Sequence, residues 1–462
     1  MKSMGDGSKG PRSGGLPDQL MNEPLLKHFP WRWVLFWLIA PNLPLILAWP
    51  LGGPPMGDTL LMSGCIALIC SQAPALWLRR ACAMALTPAM LVFYISRNFN
   101  IDIDQLANAP TYFTEAAPLR SSMFVGAACA ALLSMAITFT QMPRVPRFST
   151  PMNVMLGFLA IMGVMRFDAY ATAATRGSYD VAAEGRAFTS AVAATDHQTP
   201  PADRRNLVIV LVEALGRPVS PAASAQFAAD WDRPEWRSRY TVQTGAVPYF
   251  GSTTSGEMRE LCGRWKLDQS QPFASGECLP QRYRAAGYET TALHGFAGSM
   301  FDRTGWWPKA GFDHFAFRDD LERSGARRCG GVFPGACDVD VPAQIAARLK
   351  QARQPQLIYW VTLNSHLPVI EDSSIGTGDC RLGGEALAAE SPLLCPLFTV
   401  HHRLADAITG MAMDPALPPT DILIVGDHMP PFFAREARMR FDPHHVPWIL
   451  LRSRTGTAHR PA

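Results

Sequence analysis

Before about residue 166 the chain is dominated by five long, almost uncharged apolar runs, at 33–51, 59–78, 81–96, 121–142 and 151–165. Such a pattern leaves few options: about 20 apolar residues in a helix span a bilayer, and backbone polar groups in lipid must be satisfied within the segment. Five such runs in series predict a transmembrane helical bundle rather than buried helices of a soluble fold, although the third and fifth are short. The overall mean hydropathy of +0.03, with 48% hydrophobic and 18% charged residues, averages over this half and a second of ordinary globular composition.

Basic residues give the expected orientation. Lys2, Lys9, Arg12, Lys27 and Arg32 precede the first run, Arg79 and Arg80 follow the second, and Arg144 and Arg147 follow the fourth. The positive-inside rule puts all three groups in the cytoplasm, so an odd number of spans carries everything after the fifth to the other side. No small-residue cleavage site follows the first run, which reads as an uncleaved anchor. The resulting division is a cytoplasmic tail at 1–30, a transmembrane part at 31–166, a juxtamembrane linker at 167–204 and an extracytoplasmic domain at 205–462. A net charge of +3 is too near balance to argue for a nucleic-acid partner.

Four cysteines, Cys65, Cys70, Cys82 and Cys129, lie in the apolar runs, where a thiol serves as a small hydrophobe. The other six fall in the second half in close sequential pairs. Outside the cytoplasm such spacing reads as disulfides, most simply Cys262 with Cys278, Cys329 with Cys337 and Cys380 with Cys395.

From residue 205 apolar strands alternate with helical stretches. Strands are expected at 206–212, 288–293, 357–363, 422–425 and 446–451, with helices at 342–352 and 400–413 among them. Continuous apolar strands separated by helices argue for an α/β domain with a largely parallel sheet, which binds ligands at strand C-termini. Several chemically able residues stand there. Glu213 follows the first strand, and Asp427 and His428 follow Ile422–Val425 across a single glycine. Two acids and an imidazole form a ligand set for a divalent cation. A hydroxyl-rich turn, Gly251-Ser252-Thr253-Thr254-Ser255-Gly256, could present a nucleophile to it, or could cap a helix starting near Gly256.

The order strand-Glu213, Gly-x-Thr253 turn, strand-Gly-Asp427-His428, following five membrane spans, resembles the membrane-anchored branch of the alkaline phosphatase and sulfatase superfamily. That branch includes lipoteichoic acid synthases, phosphoglycerol transferases and phosphoethanolamine transferases. The resemblance implies a five-helix transmembrane bundle joined to an alkaline phosphatase/sulfatase-like α/β domain, in a multi-pass protein of the bacterial inner membrane with its catalytic domain in the periplasm. It also implies a metal site of Glu213, Thr253, Asp427 and His428 holding zinc, with manganese or magnesium as alternatives. Thr253 becomes the nucleophile, with Thr254 the alternative.

Two further segments carry over. His294, Phe301 and Arg303 match the family's substrate segment, with Phe where Trp is usual; by itself Arg303 could instead pair with Asp302 or Asp313. His366, in Asn364-Ser365-His366-Leu367-Pro368, matches a substrate histidine that stabilises the leaving group or acts as acid and base. His445, beside His444, is a candidate for binding acceptor or a second metal.

The implied reaction moves a phospho-alcohol from a membrane phospholipid, through a phospho-threonine, to an envelope glycan or lipid. The Ser-His-x-Pro segment and the three cysteine pairs point to phosphoethanolamine, His294 and Arg303 to phosphoglycerol; the first is preferred. Alternatives are a sulfatase-like phosphodiesterase or hydrolase and a catalytically silent membrane sensor of the same fold. Against the sulfatase, the turn lacks the Cys/Ser-x-Pro-x-Arg sequence.

Overall fold

The computed structural model describes residues 29–49, 55–99, 114–172, 182, 185–267, 271–378 and 381–454. Lys2, Lys9, Arg12, Lys27 and Cys380 lie outside them, as do 100–113 of the loop between the third and fourth apolar runs and most of 173–184 in the linker.

In the first half, residues 31–46 form consecutive short helical segments, Trp31–Trp33, Val34–Ile39, Ala40–Asn42 and Leu43–Ile46. Pro41 and Pro44 stand within this stretch, where a missing N–H breaks the regular ladder. Helices Gly57–Cys70, Leu76–Phe99, Ser122–Gln141 and Pro151–Ala171 follow. The last two start where they do because the Ser121 and Thr150 side chains accept the N–H groups of Phe124 and Asn153. Among the described residues, three segments are long and apolar enough to cross a membrane: Leu76–Arg97, Ser122–Arg144 and Pro151–Ala171. The expected second span is cut at Cys70, because Pro74 cannot continue that helix, and Arg79 and Arg80 fall in the first turns of the next helix rather than in a connection.

The second half is built on a sheet. Its strands are β1 (Asn206–Val212), β2 (Tyr240–Pro248), β3 (Glu289–His294), β4 (His314–Ala316), β7 (Gln356–Val361), β8 (Thr420–Gly426) and β9 (His445–Ser453), while β5 (Arg328–Cys329) and β6 (Gly335–Ala336) make a small separate hairpin. The seven-stranded order is β2-β9-β8-β1-β7-β3-β4. β1 pairs in parallel with both β7 and β8, and β3 with β7 and β4; β9 runs antiparallel to β8 and β2. The sheet is thus largely parallel, as expected. Every residue of β1, β7 and β8 is buried. Helices cover both faces, with separate cores on either side: Leu207, Ile209 and Leu211 of β1 face one, Val208, Val210 and Val212 the other. That two-sided burial is why these strands read as unbroken apolar runs.

Candidate metal and phosphoryl-transfer site

Strand order alone gathers the chemistry. β8, β1, β7 and β3 are consecutive neighbours pointing the same way, so the residues at their C-terminal ends share one edge. Val212 stands opposite Gly426, which sets Glu213 beside Asp427. His294 ends β3 opposite Val361, and the 364–368 turn leaves β7 just beyond it.

Thr253 enters from the other side as the first residue of the Thr253–Cys262 helix, three residues earlier than the sequence suggests. Its hydroxyl donates to Glu213 Oε2 at 2.9 Å and lies 3.4 Å from His428 Nε2. Thr254 instead turns its hydroxyl to that of Ser252, 3.3 Å away. Ligand atoms of Glu213, Asp427 and His428 all lie within 4.8 Å of one another, and all three residues are buried. His428 Nε2 is 3.4 Å from Glu213 Oε1 and 3.3 Å from Asp427 Oδ2.

These residues fit a divalent cation. Asp427 Oδ2 is buried and accepts no hydrogen bond, an arrangement that costs free energy unless something positive meets it. His428 donates Nδ1–H to the Met429 carbonyl at 2.9 Å, which leaves the Nε2 lone pair directed at the carboxylates. Burial and then the negative charge of Glu213 push the Asp427 pKa up to about 7. Burial opposes a charged His428, but Asp427 and Glu213 outweigh it and raise that imidazole.

Surrounding groups fix the cluster through its backbone. Asp427 Oδ1 accepts the N–H of Ala214 at 2.9 Å. The Glu213 N–H goes to Thr362 Oγ1 at 2.9 Å, and its carbonyl accepts from Ser365 Oγ at 2.7 Å and His401 Nε2 at 3.2 Å. Arg259 donates to the carbonyls of Gly426 (2.7 Å) and Asp427 (3.2 Å). None of Thr362, Ser365, His401 and Arg259 stands out in the sequence as a site residue; the one available signal is that Thr362 and Ser365 shortly precede His366 at a strand end.

The substrate candidates fare differently. His294 is buried, donates Nδ1–H to the Val361 carbonyl at 3.1 Å and so keeps Nε2 as an acceptor; burial and then Arg303 hold its pKa well below the ordinary value. His366 has the same tautomer, with Nδ1–H donated to Leu367 O at 2.9 Å and a pKa lowered to about 4 by burial. Arg303 pairs neither with Asp302 nor with Asp313. It is buried and binds Glu257 at 2.9 Å, and its guanidinium carbon lies 5.4 Å from the Phe301 ring. Phe301 and Asp302 adopt left-handed backbone angles, φ 55° and 51°, at this turn. His445 is not gathered into the cluster; as the first residue of β9 it faces Asp442 at 3.3 Å. Disulfides join Cys262 to Cys278 and Cys329 to Cys337; for Cys380 with Cys395, one partner lies outside the described residues.

The sequence profile described as Sulfatase matches residues 237–379, a stretch that includes Thr253, His294, Arg303 and His366. A curated protein of Rhizobium meliloti (strain 1021), "Putative cyclic beta-1,2-glucan modification protein", is 28% identical over 152 residues, 32% of this chain and 23% of that protein, so the match spans about a quarter of that relative. Among solved structures, the lipooligosaccharide phosphoethanolamine transferase EptA from Neisseria meningitidis aligns at 14% identity and TM-score 0.49, over 86% of this chain and 80% of its own. The lipoteichoic acid synthase LtaP from Listeria monocytogenes aligns at 15% identity and TM-score 0.43, over 60% and 71%. Over residues 237–379, then, the chain is similar to the sulfatase family.

Proposed function

We propose that the protein is a membrane-anchored, metal-dependent phosphotransferase that moves phosphoethanolamine from a phospholipid to an envelope glycan or lipid through a phospho-threonine. One observation carries the reading: the Thr253 hydroxyl sits against Glu213 and His428 while the buried Asp427 Oδ2 beside them accepts no hydrogen bond. Glu213, Asp427, His428 and Thr253 would hold the cation, zinc by preference, which supplies charge to lower the hydroxyl pKa and to neutralise phosphoryl oxygens.

The residues of the chain do the rest. The Thr253 oxygen attacks phosphorus, with its proton passing to Glu213 Oε2. The bond from phosphorus to the diacylglycerol oxygen breaks, and that oxygen takes up the released proton. An acceptor hydroxyl then attacks the phospho-threonine and gives its proton to His366 Nε2, whose lone pair is kept free by the Nδ1–H bond to Leu367. Thr253 regains a proton as it leaves. Arg303 and His294 would grip phosphate oxygens and the head group. Names of similar proteins support the class: EptA is a phosphoethanolamine transferase, and another solved relative, GacH of Streptococcus pyogenes, is a phosphoglycerol transferase complexed with sn-glycerol-1-phosphate (15% identity, TM-score 0.37, 54% of this chain and 68% of that one).

Five spans, with residues 205–462 in the periplasm beyond a linker at 167–204, would keep the site beside its lipid donor. Intact-mass analysis of the full chain after incubation with phosphatidylethanolamine tests the reaction. A phosphoethanolamine adduct on wild type and none on Thr253→Ala is expected; diacylglycerol release with no adduct on any residue would instead favour the hydrolase.

A further inference from the structure

Residues 114–120, between two of the long apolar helices, lie against the sheet half of the protein. Arg120 makes two contacts there. Its Nη1 donates to Gly331 O at 3.1 Å and its Nη2 pairs with Asp372 Oδ2 at 2.7 Å. Asp372 Oδ2 also accepts the Gly331 N–H at 3.0 Å, and the Ala117 N–H donates to Val332 O at 2.8 Å. A third tie, between Glu115 and Arg318, lies alongside.

The pinned loop, 330–334, joins β5 to β6 and is closed by the Cys329–Cys337 disulfide. Phe333 at its tip has its ring centroid 4.0 Å from that of His366, and touches Phe296, two residues past His294, on another side at 6.1 Å. Asp338 and the Ser365 hydroxyl anchor the backbone of this turn, but among the described residues the imidazole of His366 has one hydrogen bond, to the neighbouring Leu367 carbonyl, and Phe333 is the ring packed against it. Phe333 thus backs the ring that the Leu367 bond orients, and its loop, closed by the disulfide and held by Asp372 and Ser374, is fastened in addition by Arg120 and Ala117.

We propose that Arg120 is a positioning residue for His366: by pinning the 330–334 loop it keeps Phe333 against the imidazole. This rests on the role given to His366 above. A base displaced by even an ångström loses much of its effect, so the contact should be worth a substantial part of the rate although it lies outside the metal cluster.

The test uses the full-length protein with phosphatidylethanolamine vesicles and glucose as the acceptor, and reads steady-state transfer of phosphoethanolamine to glucose, which includes the step given to His366. Arg120→Ala and Phe333→Ala are each expected to lower kcat about tenfold, with KM and bound metal unchanged, and the double variant to be no worse than either single one. In a His366→Ala background, Arg120→Ala should cost nothing further. An Arg120→Ala enzyme at the wild-type rate overturns the proposal, as does a loss that persists undiminished without His366. Full activity of His366→Ala would overturn both this inference and the role of His366, whereas an impaired His366→Ala beside an unimpaired Arg120→Ala sinks this inference alone.

Discussion

Asp338 carries the buried charge from which the His366 turn hangs. Its Oδ2 accepts the N–H groups of Leu363 at 2.8 Å and Asn364 at 2.6 Å, while Oδ1 is buried without a partner. Burial pushes its pKa up to about 7, against the help of those two N–H groups. A carboxyl whose folded pKa is raised contributes stability that is complete below the unfolded value near 3.8 and is lost as pH rises through 7. Asp338→Asn keeps an acceptor for both N–H groups and removes the charge. Its stability relative to wild type should therefore grow between pH 4 and 8, by on the order of 2 kcal/mol, as read by thermal unfolding in detergent at several pH values. A difference that does not vary with pH would mean that Asp338 is not the titrating group. Glu213, Asp427 and His428 were legible one by one because each follows an apolar strand. Arg259 and His401 were not, because they act on backbone carbonyls, and no side-chain pattern encodes which carbonyl a residue will reach.

The Thr253–Cys262 helix delivers its first residue to the cluster only because its first turn, at Gly256, can approach Asp427 closely. A Cβ added at Gly256 would lie 3.0 Å from Asp427 Cβ and 3.1 Å from its Cα, and the backbone there cannot retreat without moving Asp427. Gly256→Ala should leave the protein folded but separate Thr253 from Glu213, lowering turnover by about 10- to 100-fold and weakening metal retention after dialysis. Unchanged turnover would show that the helix can shift without cost. Buried strands and long helices were readable at this level from their runs of apolar residues. β2 was missed because it is an edge strand with mixed exposure and carries Gly245 and Pro248, and β4 because three residues give no period. Pro74 was the overlooked signal that divides the second apolar run.

Membrane orientation belongs to the molecule as a whole. With five spans and a cytoplasmic N-terminus, a thiol at exposed Leu119 should react with an impermeant maleimide on spheroplasts, while one at Ser149 should react only after permeabilisation. Both Leu119→Cys and Ser149→Cys labelling from outside would refute the topology. The number of strongly apolar runs, their charge asymmetry and the strand-end position of each acid are one-dimensional properties, so the chain alone determined a half of long apolar helices, an α/β half and the residue types of the candidate metal site. Convergence was decided only in three dimensions. Which strands become neighbours depends on helices packing over both faces of the sheet, and that order puts β8 and β1 side by side although more than two hundred residues separate Glu213 from Asp427. The same packing turned Arg303 inward to Glu257 and left His445 with Asp442, since a long side chain takes whichever buried partner the fold brings within reach.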